Sequence, residues 1–310
     1  MMNTKLQAQT LSTYSFHKAF PDEMSAVKFV ENVRWDGKPV CTHCGAVNSF
    51  PRPERHGHRC KSCRLDFSVR VGTIFESSRM PIHQWLYGIY LLQTARKGIS
   101  SLQLSKEIGI TQKSSWFMLH RLRESCGLTA VKLSGVVEVD ETYIGGKEAN
   151  KHKHKRVAGR QGGKGKATII GARERGGEIR ASLLPDTTGE TMQGFIADNV
   201  AHGAVVYTDD HRGYSGVGKE FYEHKTVNHS AREYVKGMAH TNGIESVWAV
   251  LKRGYNGVYH NWSMKHMTRY VNEFAFRLND GNCKVDTIDR IAAVIRGSVG
   301  KRLTYKELIQ

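Results

Sequence analysis

Apolar positions in the middle of the chain recur at helical spacing. After Pro81, suited to a first helical turn, Trp85, Ile89 and Leu92 follow at i, i+4 and i+7. Ser100 or Ser101 is placed to cap a short helix that Gly109 breaks, and Thr111 to cap the next. That second helix, Gln112–Ser125, turns Trp116, Leu119 and Leu122 inward and carries Lys113, His120, Arg121 and Arg123 elsewhere. The layout is that of a helix-turn-helix, whose second helix fits a major groove, although any small helical bundle shares it. From Val136 the period changes. Val136–Ile144 reads as a strand with an acid in mid-run, and Ala167–Arg173 and Glu178–Leu184 read as two more, joined by Arg175-Gly176-Gly177. Thr188–Val200 is helical, Ala204–Asp210 is a strand ending in carboxylates, and Phe221–Val227 is another strand. Asn242–Arg253 is an amphipathic helix with Ile244, Val247, Trp248 and Leu251 on one stripe. Met267, Tyr270, Val271, Phe274 and Leu278 repeat at helical spacing and are assigned to the core, as are Trp248 and Trp262. Periodicity alone gives the class α/β.

The chain has 310 residues, enough for about two domains and a buried core. With 46 Lys and Arg against 29 Asp and Glu, its formal net charge is +17. An apolar content of 39% is too high for a disordered polycation and too low for a membrane protein. The longest nearly apolar run, Trp85–Leu92, falls short of the roughly 20 residues that span a bilayer. No charged start, apolar stretch and small-residue cleavage site opens the chain, so the expectation is a soluble, cytoplasmic protein without a signal peptide. Charge on this scale points to a polyanionic partner, most often nucleic acid.

The charge is unevenly placed. Residues 1–72 and 73–134 each carry a net +5, and residues 135–310 carry +7. The stretch Lys147–Lys166 alone holds +7, so the remainder of that last part is formally neutral. A Gly- and Lys-rich run of this kind reads as a basic loop. Its Lys151, Lys153, Lys155, Arg156, Arg160, Lys164 and Lys166 are expected to clamp a phosphate backbone, in preference to forming a plain solvated linker. Lys113, Ser114 and Arg121 are expected near a DNA groove.

Four of six cysteines form a pattern: Cys41-Thr-His-Cys44, fifteen intervening residues, then Cys60-Lys-Ser-Cys63. Each Cys-x-x-Cys knuckle turns two thiolates to one side, and two knuckles complete a tetrahedron around a structural Zn²⁺. The segment with Pro51, Pro53 and Gly57 reads as a turn between short strands, giving a zinc ribbon over about 36–72. Disulfides are the alternative, but nothing in the sequence marks secretion. His43, His56 and His58 are left out because four thiolates close the site. Cys126 and Cys283 are isolated and are read as small hydrophobes.

Several longer motifs carry a family resemblance. Val139-Asp140-Glu-Thr-Tyr-Ile-Gly-Gly146, Tyr207-Thr-Asp209, Asn228-His229-Ser and His240-Thr-Asn-Gly-Ile-Glu245-Ser-Val-Trp-Ala-Val-Leu-Lys252-Arg resemble the ISXO-like insertion-sequence transposases. Tyr270-Val-Asn-Glu273-Phe-Ala-Phe-Arg277-Leu-Asn279 fits the same group, as does an N-terminal zinc ribbon, so the resemblance spans roughly residues 20–280. Three strands, a helix, a strand, then a helix and a strand is also the element order of an RNase H-like fold. The expected organisation is an N-terminal segment with the ribbon (1–72), a helix-turn-helix-like segment (73–134), an RNase H-like catalytic domain (135–280) and a C-terminal helical tail (281–310).

The resemblance implies a DDE-type recombinase that binds element ends and catalyses Mg²⁺-dependent cleavage and strand transfer on DNA. Such chemistry uses two divalent ions, Mg²⁺ or Mn²⁺, held by a few carboxylate oxygens. Asp140 in mid-strand and Asp209 at a strand end would be neighbours if their strands pair. Asp209 is preferred to Asp210 because it follows Tyr207-Thr208 and leaves thirty-five residues before Glu245. Asn242 and Glu245, three apart on one helix, compete for the third place; Glu245 is favoured because a charged ligand holds Mg²⁺ better than an amide. Lys252, two turns after Glu245, is assigned to DNA phosphate. Glu138 and Glu141 are weaker candidates, and His229 and His240 weaker still. The implied partners are double-stranded DNA, as element ends and as target, and further copies of the chain in a dimer or larger assembly. The implied location is prokaryotic and nucleoid-associated. Two alternatives stand beside this reading: a non-catalytic zinc-ribbon DNA-binding regulator, and a metal-dependent nuclease that cuts without joining.

Overall fold

The computed structural model describes residues 8–127, 131–146, 152–155, 166–217, 223–226 and 240–310. They form two units, Met1–Gly127 with Asp280–Gln310, and Leu128–Asn279. Most of the basic loop, with Lys147, Lys151, Arg156, Arg160 and Lys164, lies outside the described residues, as does His229.

In the first unit, α1 (Thr13–Ala19) and α2 (Glu23–Trp35) are followed by the antiparallel ribbon β1 (Ser49–Arg52), β2 (Gly57–Cys60) and β3 (Asp66–Phe67). Three more helices follow: α3 (Ile82–Thr94), α4 (Ser101–Ile108) and α5 (Gln112–Ser125). Their starts are set by local chemistry. Ser100 accepts the Gln103 N–H at the start of α4, and Thr111 accepts the Ser114 N–H at the start of α5. Gly109, in the left-handed region at φ +75°, ends α4 between them. α3 has no side-chain cap of its own. The Glu23 carboxylate instead accepts the Ile82 and His83 N–H groups, both at 2.8 Å.

The second unit holds a five-stranded sheet. β4 (Val136–Ile144), β5 (Ala167–Glu174) and β6 (Ile179–Leu184) form an antiparallel meander. After α6 (Gly189–Asn199), β7 (Val205–Thr208) pairs parallel to β4, and β8 (Glu223–Thr226) pairs parallel to β7. The spatial order is β6-β5-β4-β7-β8. Alternation along the strands builds two cores. Val137, Val139, Ile170, Ala172 and Val206 face Met192 and Ile196 of α6. Ile144, Ile169 and Ala181 face Ile244, Trp248 and Leu251 of α7 (Asn242–Gly254) and Val271 and Phe274 of α8 (Met267–Leu278). Glu138 and Asp140, alternating with Val137 and Val139, therefore stand on the α7 face.

The last two helices, α9 (Thr287–Gly297) and α10 (Tyr305–Ile309), belong to the first unit. α9 packs on α2, α3 and α5, burying Ile291, Val294 and Ile295. A Cβ at Gly297 would collide with the Ser125 carbonyl, so that contact requires glycine. Among the described residues, no helix is long and apolar enough to cross a membrane.

Candidate functional site

The register of β4 against β7 brings two acids together. Glu138 lies opposite Tyr207, so two residues further along, Asp140 comes beside Asp209, just past the end of β7. Side-chain oxygens of Asp140, Glu141 and Asp209 all lie within 4.8 Å of one another. Each is held from outside the cluster. The Trp248 indole Nε1 donates to Asp140 Oδ2 at 3.0 Å, the Tyr214 hydroxyl donates to Glu141 Oε2 at 2.9 Å, and the His211 N–H donates to Asp209 Oδ1 at 3.1 Å.

Half-burial and mutual repulsion make this arrangement costly for charge. Burial first, then the charges of Glu141 and Asp209, push the Asp140 carboxyl up to about 7. Burial and Asp209 also raise Glu141. Among the described residues, none of the three forms a salt bridge. Clustered hard oxygen donors are what Mg²⁺ or Mn²⁺ binds, so the residues present fit a divalent cation.

Glu141, ranked below its neighbour in the sequence, is thus part of the cluster. Glu245 and Asn242 are exposed on α7, and Glu245 is not in the cluster; its Oε1 accepts a hydrogen bond from the Thr241 hydroxyl at 3.2 Å. Lys252 and Asp210 are also exposed. Glu138 has a different task. Fully buried, it accepts from Arg175 Nε at 2.9 Å and from the Ile244 N–H at 3.0 Å, with His240 Nδ1 at 3.5 Å.

The four cysteines converge in the first unit. Sγ atoms of Cys41 and Cys63 are 3.6 Å apart, as are those of Cys44 and Cys60, and all four fall in one cluster. A disulfide needs about 2.05 Å, whereas tetrahedral Zn²⁺ with bonds of about 2.3 Å separates its sulfurs by about 3.8 Å. The donor set fits structural zinc. Gly45 at φ +74° and Arg64 at φ +60° turn the two knuckles, their N–H groups donating to the Cys41 and Cys60 carbonyls.

The residues expected to meet DNA divide. Lys113 is exposed near the start of α5, its ammonium 4.8 Å from the Tyr305 ring centroid. Lys153 is exposed and Lys166 half-buried. Arg121, expected on the DNA side, is instead 5% exposed: it donates to the Glu76 carbonyl and lies over the Trp85 and Phe117 rings. Burial lowers its guanidinium to about 10, so Arg121 is a packing residue of its unit.

The first unit thus carries a four-cysteine ribbon, and the second an α/β domain with carboxylates gathered beside a parallel strand pair. Residues 132–279 match the ISXO2-like transposase domain and residues 21–66 the transposase zinc-ribbon domain. The chain belongs to the ISXO2-like insertion-sequence transposases. A Halobacterium salinarum relative described as an uncharacterized protein in transposable element ISH50 is 26% identical over 278 residues, covering 84% of this chain and 92% of that one. A cryoEM structure of the simian T-cell lymphotropic virus intasome in complex with PP2A regulatory subunit B56 gamma matches 60% of this chain and 65% of its own, at 14% identity and a TM-score of 0.27. That likeness is too low to carry a structural conclusion.

Proposed function

We propose that this transposase binds the ends of an insertion sequence and catalyses metal-dependent cleavage of DNA strands and their transfer to a target duplex. The observation that carries the reading is the approach of Asp140, Glu141 and Asp209 to within 4.8 Å, with none of the three in a salt bridge among the described residues. The strand order β6-β5-β4-β7-β8, three antiparallel strands followed by two parallel ones, supports an RNase H-like domain. Asp140 and Asp209 hold the divalent cations, and Glu141 adds an oxygen at the same edge. When bound, such ions activate the attacking oxygen and stabilise the leaving one. Glu245 and Lys252 flank Trp248 at i−3 and i+4 on α7, the stripe whose indole reaches Asp140. That placement supports Glu245 as the third acid and Lys252 as a phosphate contact, with Asn242 one turn before Glu245 as the alternative third ligand.

The ribbon and the α4–α5 pair are the docking elements in this reading, α5 offering Gln112 and Lys113 at its exposed start. Most phosphate contacts are assigned to the basic loop and to Lys153 and Lys166. The protein acts as a dimer or larger assembly that pairs two ends. Replacement of Asp140 or Asp209 by Asn is expected to leave binding to an element-end duplex intact while cutting Mg²⁺- or Mn²⁺-dependent strand cleavage by about a thousandfold. Gel-shift and cleavage assays on the same oligonucleotides check this. Unimpaired cleavage by either variant would remove these acids from the chemistry, and cleavage by the parent without any joining would make the protein a nuclease.

A further inference from the structure

Helix α7 is keyed to β4 at two points. Near its start, the N-cap Thr241 makes no side-chain capping bond, and the Glu138 carboxylate accepts the Ile244 N–H in its place. Gly243 lets the carboxylate in, because a Cβ there would collide with Glu138 Oε2. One turn on, the Trp248 indole donates to Asp140 Oδ2 at 3.0 Å. The spacings match: two strand residues rise about 6.6 Å and four helix residues about 6 Å. The indole has a fixed seat, since a Cβ at Gly171, opposite Asp140 in the register, would lie 2.5 Å from its ring.

From this geometry we infer that Trp248 is a positioning residue for the metal site, its N–H engaging one oxygen of Asp140 so that the other is presented to Glu141 and Asp209. The inference rests on the metal-dependent reading above. Trp248 donates only from Nε1, so its bond fixes the rotation of the carboxylate without offering a competing charge. The same key fixes the rotation of α7 about its axis, and with it the flank bearing Glu245 and Lys252. Partners of this kind around metal ligands set affinity by holding the ligand in its binding orientation.

Trp248→Phe keeps an aromatic side chain at this position and removes the N–H. Free Mn²⁺ is counted by electron paramagnetic resonance during titration of the full-length protein, alongside Asp140→Asn. The expected result is a roughly tenfold weaker Mn²⁺ affinity for Trp248→Phe, with cleavage recovering as Mn²⁺ is raised, whereas Asp140→Asn loses the site and does not recover. Should Trp248→Phe fail to fold, Gly171→Ala, which retains the indole but displaces it, is expected to weaken Mn²⁺ in the same direction. Parent-like Mn²⁺ affinity in whichever variant folds, beside a loss in Asp140→Asn, would overturn the role of Trp248 alone. A parent protein that binds no Mn²⁺, or Asp140→Asn with unchanged affinity, would overturn the metal-site reading and this inference with it.

Discussion

At Asp140 burial and charge oppose each other. The carboxyl is pushed up to about 7 from its ordinary 3.8, so the folded state holds a proton over a range in which the unfolded chain has lost it. Stability from this group is therefore full below about 4 and declines as pH rises through about 7. In metal-free protein, thermal denaturation across that window should show a falling melting temperature. Asp140→Asn should flatten the fall, and millimolar Mg²⁺ should offset it most at the high-pH end. A parent and variant with parallel profiles would contradict the placement of strain at Asp140. Two acids of the cluster were legible in the sequence from the motifs around them, Asp140 in mid-strand and Asp209 at a strand end. Glu141 was ranked a weaker candidate beside Asp140, and strand alternation sends it to the opposite face. The structure overrides that: β7 stops at Thr208, leaving the β4 edge without a partner on that side, so side chains from both faces meet there. Arg121 was expected on the DNA side, and nothing local reveals that the Glu76 carbonyl and the Trp85 ring lie within its reach.

Among the elements, those with local start signals were the most readable. Ser100, Gly109 and Thr111 delimit α4 and α5 where residue chemistry alone puts their ends. The start of α7 was not readable in the same way, because its cap comes from Glu138, 106 positions away in the chain. Glu138 is also the buried partner of Arg175, with 2% of its side chain exposed. Glu138→Ala leaves Arg175 Nε and the α7 amide without their acceptor, the guanidinium keeping its bond to the His240 carbonyl, and should cost about 3 kcal/mol. Glu138→Gln keeps an acceptor for one of them and should cost less. Urea unfolding of the two variants checks the order; equal and small losses would show that α7 is held by its apolar stripe alone.

For the whole molecule, the charge and the motifs pointed to DNA and to a catalytic domain, but neither indicated how the chain ends. Residues 280–310 return to the N-terminal unit: Thr287 N–H donates to the Gln9 carbonyl, Gly300 N–H to the Gly72 carbonyl, and the Lys301 ammonium to the Glu124 carbonyl. Truncation after Asn279 should therefore remove part of the core shared by α2, α3 and α5. It should expose apolar surface to a dye such as ANS and abolish the cooperative transition of the first unit, whereas the parent chain keeps that surface buried and the transition intact. A truncated chain with an unchanged transition would show that α9 only decorates that unit. Asp140, Glu141 and Asp209 are proposed to form a divalent-metal centre that cuts and joins DNA. The most direct test incubates the protein with a pre-cut element end bearing a free 3′-OH and a target plasmid, with Mg²⁺ or with EDTA. The account predicts covalently joined product in Mg²⁺ alone, and none from an Asp140→Asn, Asp209→Asn double variant. Joined product in EDTA, or from the double variant, would contradict it.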